Sequence, residues 1–143
     1  MNTQQELAER LDAIRERLDN DDFLNNRGLG NEIGFYIFDY PPQFELMVRD
    51  YLALLVGRMA KLGRRFVHLN LFDEMLAMLQ ERKLLDKAFE LEKKKGIDEL
   101  AKALKGPLEQ GRVAQHLVKK MDPAAQEFVL LSGLGQCWPL LRG

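Results

Sequence analysis

The sequence predicts an α/β fold in which a small, mostly parallel sheet of at least three strands has helices on both faces, with an amphipathic helix at the N-terminus. Short apolar runs alternate with helical segments, and each connection between two runs is long enough for the crossover that parallel strands require. Hydrophobic residues make up 46% of the 143 residues, which is enough for one core. We expect one globular domain overall, made of a helix over 1–22 and an α/β body over 23–143.

Residues 3–19 have the pattern of an amphipathic helix. Leu7, Leu11, Ile14 and Leu18 recur at spacings of four, three and four between charged residues, and they form a narrow apolar stripe. A lone helix of this length is marginal in water, so something must cover the stripe. Two alternatives are open. The stripe docks on the rest of the chain, or it is an interface that enters a groove on a partner or on a second copy of this chain.

Three apolar runs are the predicted strands, over 34–39, 65–71 and 127–132. The first run is rich in aromatic residues, which is typical of a strand covered on both faces, and two prolines end it. The three strands are expected to form one buried sheet. Its core residues are predicted to be Phe35, Ile37, Val67, Leu69, Val129 and Leu131.

Helical segments fill the two connections between the predicted strands. The segment 43–62 carries a broad apolar face and is expected to pack directly on the sheet. Capping and turn residues divide the second connection into several helices. The first of these helices is predicted to begin at Asp73. Three further helices are predicted over 84–94, 97–105 and 108–121.

The composition excludes some classes of protein. With 21 basic and 22 acidic residues, the net charge of −1 disfavours a surface built mainly to grip nucleic acid, although a local basic patch stays open. The N-terminus lacks the features of a signal peptide, and no apolar run is long enough to span a bilayer. Cys137 is the only cysteine, so no internal disulfide forms. We therefore expect a cytoplasmic protein with no membrane contact.

Polar residues follow each predicted strand, where ligands collect in open parallel sheets. The three strand ends carry Asp39, then Asn70 with Asp73, and finally the segment Ser132-Gly133-Leu134-Gly135. Together they form a candidate ligand pocket. The favoured alternative is that the carboxylates and the amide cap helices and the glycines shape turns, because such positions are common at helix starts.

The motifs of well-known enzyme classes are missing. Gly133-Leu-Gly135 lacks the third glycine of a dinucleotide fingerprint, and the chain has neither a Walker sequence nor Gly-x-Ser-x-Gly. The two histidines, His68 and His116, belong to no pair with metal-ligand spacing. Cys137 has no evident basic partner and is expected to be a buried apolar residue. No catalytic residue, metal or cofactor is therefore predicted.

Four stretches of the chain resemble a known family in order and spacing. They are Gly-Leu-Gly-Asn-Glu-Ile-Gly-Phe-Tyr-Ile-Phe-Asp-Tyr-Pro over 28–41, Val-His-Leu-Asn-Leu-Phe-Asp over 67–73, Leu-Leu-Asp-Lys-Ala-Phe-Glu-Leu-Glu over 84–92, and Leu-Leu-Ser-Gly-Leu-Gly-Gln-Cys-Trp-Pro-Leu-Leu-Arg over 130–142. The chain is similar here to the BrxB family, a small component of bacterial BREX phage-exclusion systems. Two departures are that family members generally continue past the last stretch, and that Ser132 stands where the family has threonine.

The resemblance implies a role in phage defence beside a methyltransferase, a large ATPase and the alkaline-phosphatase-like protein PglZ. It supplies no catalytic residues, which agrees with the missing motifs. It also implies that 23–143 is a BrxB-like domain with recurrent polar positions, which either mark a nucleotide-like pocket or fix loops of the fold. Those positions are Asn31, Glu32, Asp39, Asn70, Asp73 and Arg142.

These inferences favour a non-enzymatic assembly subunit that binds other BREX proteins. PglZ is the expected partner, with the stripe of the N-terminal helix as the candidate interface. The alternative is a nucleotide- or nucleic-acid-binding module that uses the polar pocket at the carboxyl ends of the strands. A third and weaker interpretation is a metal-dependent phosphoesterase that uses Asp39 and Asp73.

Overall fold

The computed structural model describes residues 3–24 and 36–141. The chain forms two compact units, Met1–Arg65 and Phe66–Gly143. The first unit contains the helices α1 (Gln4–Asp19) and α2 (Asp21–Leu24), then a 3-10 turn over Pro42–Phe44 that leads into the helix α3 (Glu45–Lys61).

The helix α1 confirms the predicted N-terminal helix. It begins at its capping residue Thr3, whose Oγ1 accepts a hydrogen bond from the backbone N–H of Glu6 at 3.1 Å. Three leucines of the apolar stripe, Leu7, Leu11 and Leu18, are buried, and the fourth member, Ile14, is half-buried. Within the first unit α1 packs against α3. The leucines of the stripe are thus buried within the first unit, and a role of the stripe as a partner interface stays a prediction.

The acidic turn after α1 is tied to the end of α3. Arg58 Nη2 lies 3.0 Å from Asp19 Oδ2, and Arg64 Nη1 lies 2.7 Å from Asp21 Oδ1. Arg64 also donates to the backbone oxygen of Asp19 at 2.9 Å. These contacts hold the turn against α3, so the predicted boundary at residue 22 falls inside the first unit.

The first predicted strand, 34–39, is wrong where the structure describes it. Residues 36–40 have no regular secondary structure, Ile37 is 85% exposed, and Phe35 lies outside the described residues. The reason is a contact with α1. Arg10 donates to the backbone oxygen of Asp39 at 2.9 Å, and its guanidinium lies 4.4 Å from the centre of the Phe38 ring. The segment therefore packs on the first helix as an irregular connection.

The second unit holds the sheet. Its elements are β1 (Phe66–Asn70), α4 (Leu71–Glu81), α5 (Leu85–Lys95), α6 (Ile97–Ala103), α7 (Gln110–Met121), a 3-10 turn (Pro123–Ala125), β2 (Phe128–Ser132) and α8 (Leu134–Cys137). In the described residues, β1 and β2 form a two-stranded parallel sheet, in register from Phe66 opposite Phe128 to Asn70 opposite Ser132. The parallel pairing and its helical crossover are confirmed, whereas residues 3–24 and 36–141 contain no third strand of this sheet.

The core of the second unit is made by helices more than by the sheet. Leu69 is the buried member of the predicted sheet core, Val67 and Val129 are half-buried, and Leu131 is 48% exposed. Two strands offer only a small apolar surface, so helix side chains supply the close-packed centre. Its buried members are Met75, Met78, Leu79, Ala88, Leu100, Leu104, Leu108 and Cys137.

No described helix combines the length with the apolar character that a membrane span requires.

Candidate functional site

The carboxyl ends of β1 and β2 bring several of the predicted polar residues together. Asn70 and Ser132, the last residues of the two strands, are register partners. Each strand turns at once into a helix, α4 after Asn70 and α8 after Gly133. Both helices therefore start beside the same strand ends, and the residues at their starts face a common region.

Asn70 has a structural task at this place. Its Oδ1 accepts a hydrogen bond from the backbone N–H of Asp73 at 3.1 Å, so Asn70 caps the start of α4. Its amide also lies directly against Gly133, where a Cβ would stand 2.7 Å from Asn70 Oδ1. Gly133 has φ +81°, a conformation that glycine adopts at no steric cost. The predicted cap and turn roles are both found here.

His68 and Ser132 form the most informative contact at the strand ends. His68 Nε2 lies 2.8 Å from Ser132 Oγ. Burial lowers the pKa of His68 below its ordinary value of 6.5, and the negative charge of Asp73 opposes this with a smaller effect. A neutral imidazole is therefore favoured near neutral pH. No local pattern in the sequence links His68 to Ser132; the parallel register, which pairs His68 with Leu130 two residues before Ser132, brings them together.

A serine hydroxyl beside a neutral histidine is the first half of a nucleophilic site. In such sites a third group orients the histidine. Within the described part of the chain, His68 has no hydrogen-bonded carboxylate, and Asp73 acts on it only through its charge. Across residues 3–24 and 36–141, no three His, Cys, Asp or Glu side chains are grouped as a metal ion would need. The polar groups here satisfy one another and favour a structural role.

The other predicted pocket residues are distributed differently. Asp39 belongs to the first unit, where its side chain is 95% exposed and Arg10 Nη2 lies 3.4 Å from its Oδ1. Gly135 lies inside α8 with open space around it. Asn31, Glu32 and Arg142 lie outside the described residues. The structure thus assembles Asn70, Asp73, Ser132 and Gly133 around the strand ends, while ligand binding by them stays a prediction.

Cys137, the last residue of α8, contacts the turn at Gly133 through its buried thiol. It is 1% exposed, and its Sγ donates to the backbone oxygen of Gly133 at 3.4 Å. Burial raises the pKa of this thiol, so the reactive thiolate is disfavoured near neutral pH. The prediction of a buried apolar cysteine is confirmed.

Three large apolar side chains around α8 are exposed to solvent. Leu131 at the end of β2 is joined by Leu134, which is 46% exposed, and by Trp138, which is 65% exposed. Leu134 begins α8 and Trp138 follows its last residue, so the three exposed side chains belong to one short segment of the chain. We call these three residues the C-terminal apolar patch. The prediction that Leu131 lies in the buried sheet core is therefore wrong, and no local sequence signal predicts the exposure of Leu134 and Trp138.

Comparisons with known proteins place this geometry in context. The family model described as "BREX protein BrxB" matches residues 67–143. A protein named BREX protein BrxB from Escherichia coli O9:H4 (strain HS) is 47% identical over 137 residues, which are 96% of this chain and 68% of that protein. Another of the same name from Bacillus cereus (strain H3081.97) is 35% identical over 141 residues, with 95% of this chain and 72% of that protein covered. No solved structure matches the chain.

Proposed function

The chain belongs to the BrxB family and so to the components of BREX antiviral defence, and we propose that it works there as a non-enzymatic assembly subunit. In this proposal it holds other BREX proteins, with the alkaline-phosphatase-like PglZ as its first partner. The predicted resemblance to the family is confirmed by the two bacterial relatives. The proposed compartment is the cytoplasm, since the buried free thiol of Cys137 fits a reducing environment.

The observation that carries this proposal is the C-terminal apolar patch. Exposed apolar side chains that lie close together mark interaction surfaces more often than single exposed residues do. Tryptophan is enriched among the residues that dominate binding energy at protein interfaces. The patch also lies inside the segment that the BrxB family model matches. A partner that covers Trp138 would remove a large apolar surface from water.

The strand ends support the non-enzymatic part of the proposal. Asn70 caps α4, and His68 and Ser132 bond to each other without an orienting carboxylate from the described residues. General acid–base or metal-assisted hydrolysis needs a further group placed at the reacting atoms. We therefore propose that these side chains stabilise the two turns and perform no chemistry.

The test is capture of partners from cells that express the complete BREX system. The tagged chain is expected to retain PglZ, and Trp138→Ala is expected to lose most of it. Phe89→Ala is the matched control, because Phe89 on α5 is also a large exposed aromatic residue, at 56%. The proposal fails if the parent chain retains no BREX protein, or if both variants lose the partner equally. Circular dichroism melting of both variants shows that each is folded.

A second candidate function is nucleotide binding at the strand ends. It is supported by the meeting of Asn70, Ser132 and Gly133 where parallel sheets bind ligands. In this case ATP or GTP should raise the melting temperature of the parent chain, and Asn70→Asp should abolish the shift through repulsion of the phosphates. No shift with either nucleotide would remove this candidate without affecting the assembly role.

A further inference from the structure

A second surface of the Phe66–Gly143 unit lies away from the strand ends, in a shallow groove between α4 and α7. These two helices pack against each other. The groove has a volume of about 390 Å³, near the lower limit for ligand sites in proteins. Its lining is formed by Met78, Glu81, Arg82, Pro107, Arg112, Gln115, His116, Lys119 and Lys120.

A buried polar contact fixes the width of this groove. His116 Nε2 on α7 lies 2.9 Å from Glu74 Oε1 on α4, and the two side chains are only 10% and 17% exposed. The start of α7 is also fixed, because the Glu109 carboxylate accepts hydrogen bonds from the backbone N–H groups of Gly111 and Arg112. The groove is therefore formed in the free chain, without any ligand.

Positive charge dominates the groove. Its lining contains four cations, Arg82, Arg112, Lys119 and Lys120, but a single carboxylate, Glu81. All four cations are exposed, and none forms an ion pair with a carboxylate in the part of the chain that the structure describes. The net charge of −1 is a sum over the whole chain and conceals this local concentration.

Helix stability does not account for the position of Arg112. Lys119 and Lys120 lie in the last turn of α7, where a cation is stabilised by the negative end of the helix dipole. Arg112 lies in the first turn of the same helix, where the dipole repels a cation. A bound anion would offset this repulsion, since the N-terminal turn of a helix attracts negative charge.

The spacing of the cations matches a repeating anion. Arg112 and Lys119 are seven residues apart on one side of α7, which corresponds to about 10 Å along the helix axis. Along one strand of a nucleic-acid duplex, phosphates recur about every 3.4 Å of the duplex axis. The two residues are therefore separated by about three phosphate intervals along the duplex axis.

We propose that the α4–α7 groove binds the phosphodiester backbone of a nucleic-acid duplex, independently of base sequence. The cations contact phosphates, which supply most of the affinity in sequence-independent binding. Among the described residues that line the groove there is no Phe, Tyr or Trp, and the imidazole of His116 is bonded to Glu74, so the groove lacks the stacking platforms that single-strand binders use. Its apolar lining is limited to Met78 and Pro107, too little for the side-chain pockets that hold a peptide. The inference does not depend on the assembly role.

Fluorescence anisotropy with a short DNA duplex of arbitrary sequence tests the proposal across a salt series. Four phosphate contacts predict that log K falls with log salt with a slope of about −3.6. Arg112→Gln with Lys119→Gln should reduce the slope to about −1.8 and weaken binding at every salt concentration. The matched control is Lys93→Gln with Lys94→Gln on α5, which removes the same charge outside the groove and should leave both quantities unchanged.

A second groove variant, Arg82→Gln with Lys120→Gln, is expected to have the same effect as the first, so the result does not depend on the folding of one variant. The proposal is overturned if the parent chain fails to bind the duplex at low salt, or if the α5 control weakens binding as much as the groove variants. It is equally overturned if polyglutamate or the single strand of the same sequence binds more tightly than the duplex.

Discussion

His68 Nε2 lies 2.8 Å from Ser132 Oγ, and this contact joins the middle of β1 to the last residue of β2. Since the site has no orienting carboxylate among the described residues, we expect the contact to stabilise the fold. Ser132→Ala leaves His68 with an unpaired nitrogen in a half-buried position and should lower the free energy of unfolding by about 1–2 kcal/mol. Urea denaturation measures the change.

The control for this prediction is Ser132→Thr, which keeps the hydroxyl and introduces the residue that the family resemblance implies at this position. It should restore most of the lost stability. Equal loss in the alanine and threonine variants would show that side-chain volume at position 132, and not the hydrogen bond, is responsible.

The same histidine should make stability depend on pH. Burial lowers the pKa of His68 in the folded chain below its ordinary value of 6.5. The unfolded chain therefore takes up this proton first as the pH falls. The stability is complete above about pH 6.5 and is lost as the pH falls from there through the folded pKa. Melting temperatures between pH 8 and pH 5 should decrease more steeply for the parent chain than for His68→Asn; parallel curves would contradict this.

Gly133 should be intolerant of any side chain. Its φ of +81° disfavours other residues, and a Cβ would stand 2.7 Å from Asn70 Oδ1. Gly133→Ala should therefore cost about 1–3 kcal/mol of unfolding free energy. Gly135→Ala is the matched control, since nothing lies within 4 Å of its Cβ position and it sits in a helix, where alanine is favoured. A loss in the control as large as that at position 133 would refute the steric explanation.

The N-terminal helix should be part of the folded first unit. Leu11 is 3% exposed, so Leu11→Ala should cost about 2–5 kcal/mol through lost burial and the cavity that remains. Leu54→Ala on α3 removes the same atoms from a side chain that is 73% exposed and should change stability by less than about 0.5 kcal/mol. If Leu11→Ala melts like the parent, α1 is not docked on the unit and its stripe is available to a partner.

Local signals in the sequence predicted the helices well. The helix expected over 3–19 is observed as Gln4–Asp19, because its cap and apolar spacing are encoded within the helix itself. The strands expected over 65–71 and 127–132 are found as Phe66–Asn70 and Phe128–Ser132. Their parallel pairing followed from the length of the helical connection between them.

Contacts between residues distant in the sequence explain the rest. The aromatic run 34–39 has the composition of a strand. However, Arg10, which is 29 residues away in the sequence, donates a hydrogen bond to the backbone oxygen of Asp39. Likewise, the candidate site depends on the register that places Ser132 near His68, and the basic groove depends on how α4 and α7 pack. No local pattern encodes these relationships, so composition alone suggested neither the groove nor the exposure of Trp138.

The most direct test of the assembly role is the affinity of the purified chain for purified PglZ from the same BREX system, measured by isothermal titration calorimetry. We predict saturable binding that Trp138→Ala weakens by about 30-fold, since truncating a dominant interface residue costs about 2 kcal/mol or more. Phe89→Ala should bind like the parent. Absence of binding by the folded parent chain, or equal affinity of the parent and Trp138→Ala, would contradict the proposed contact between the C-terminal apolar patch and PglZ.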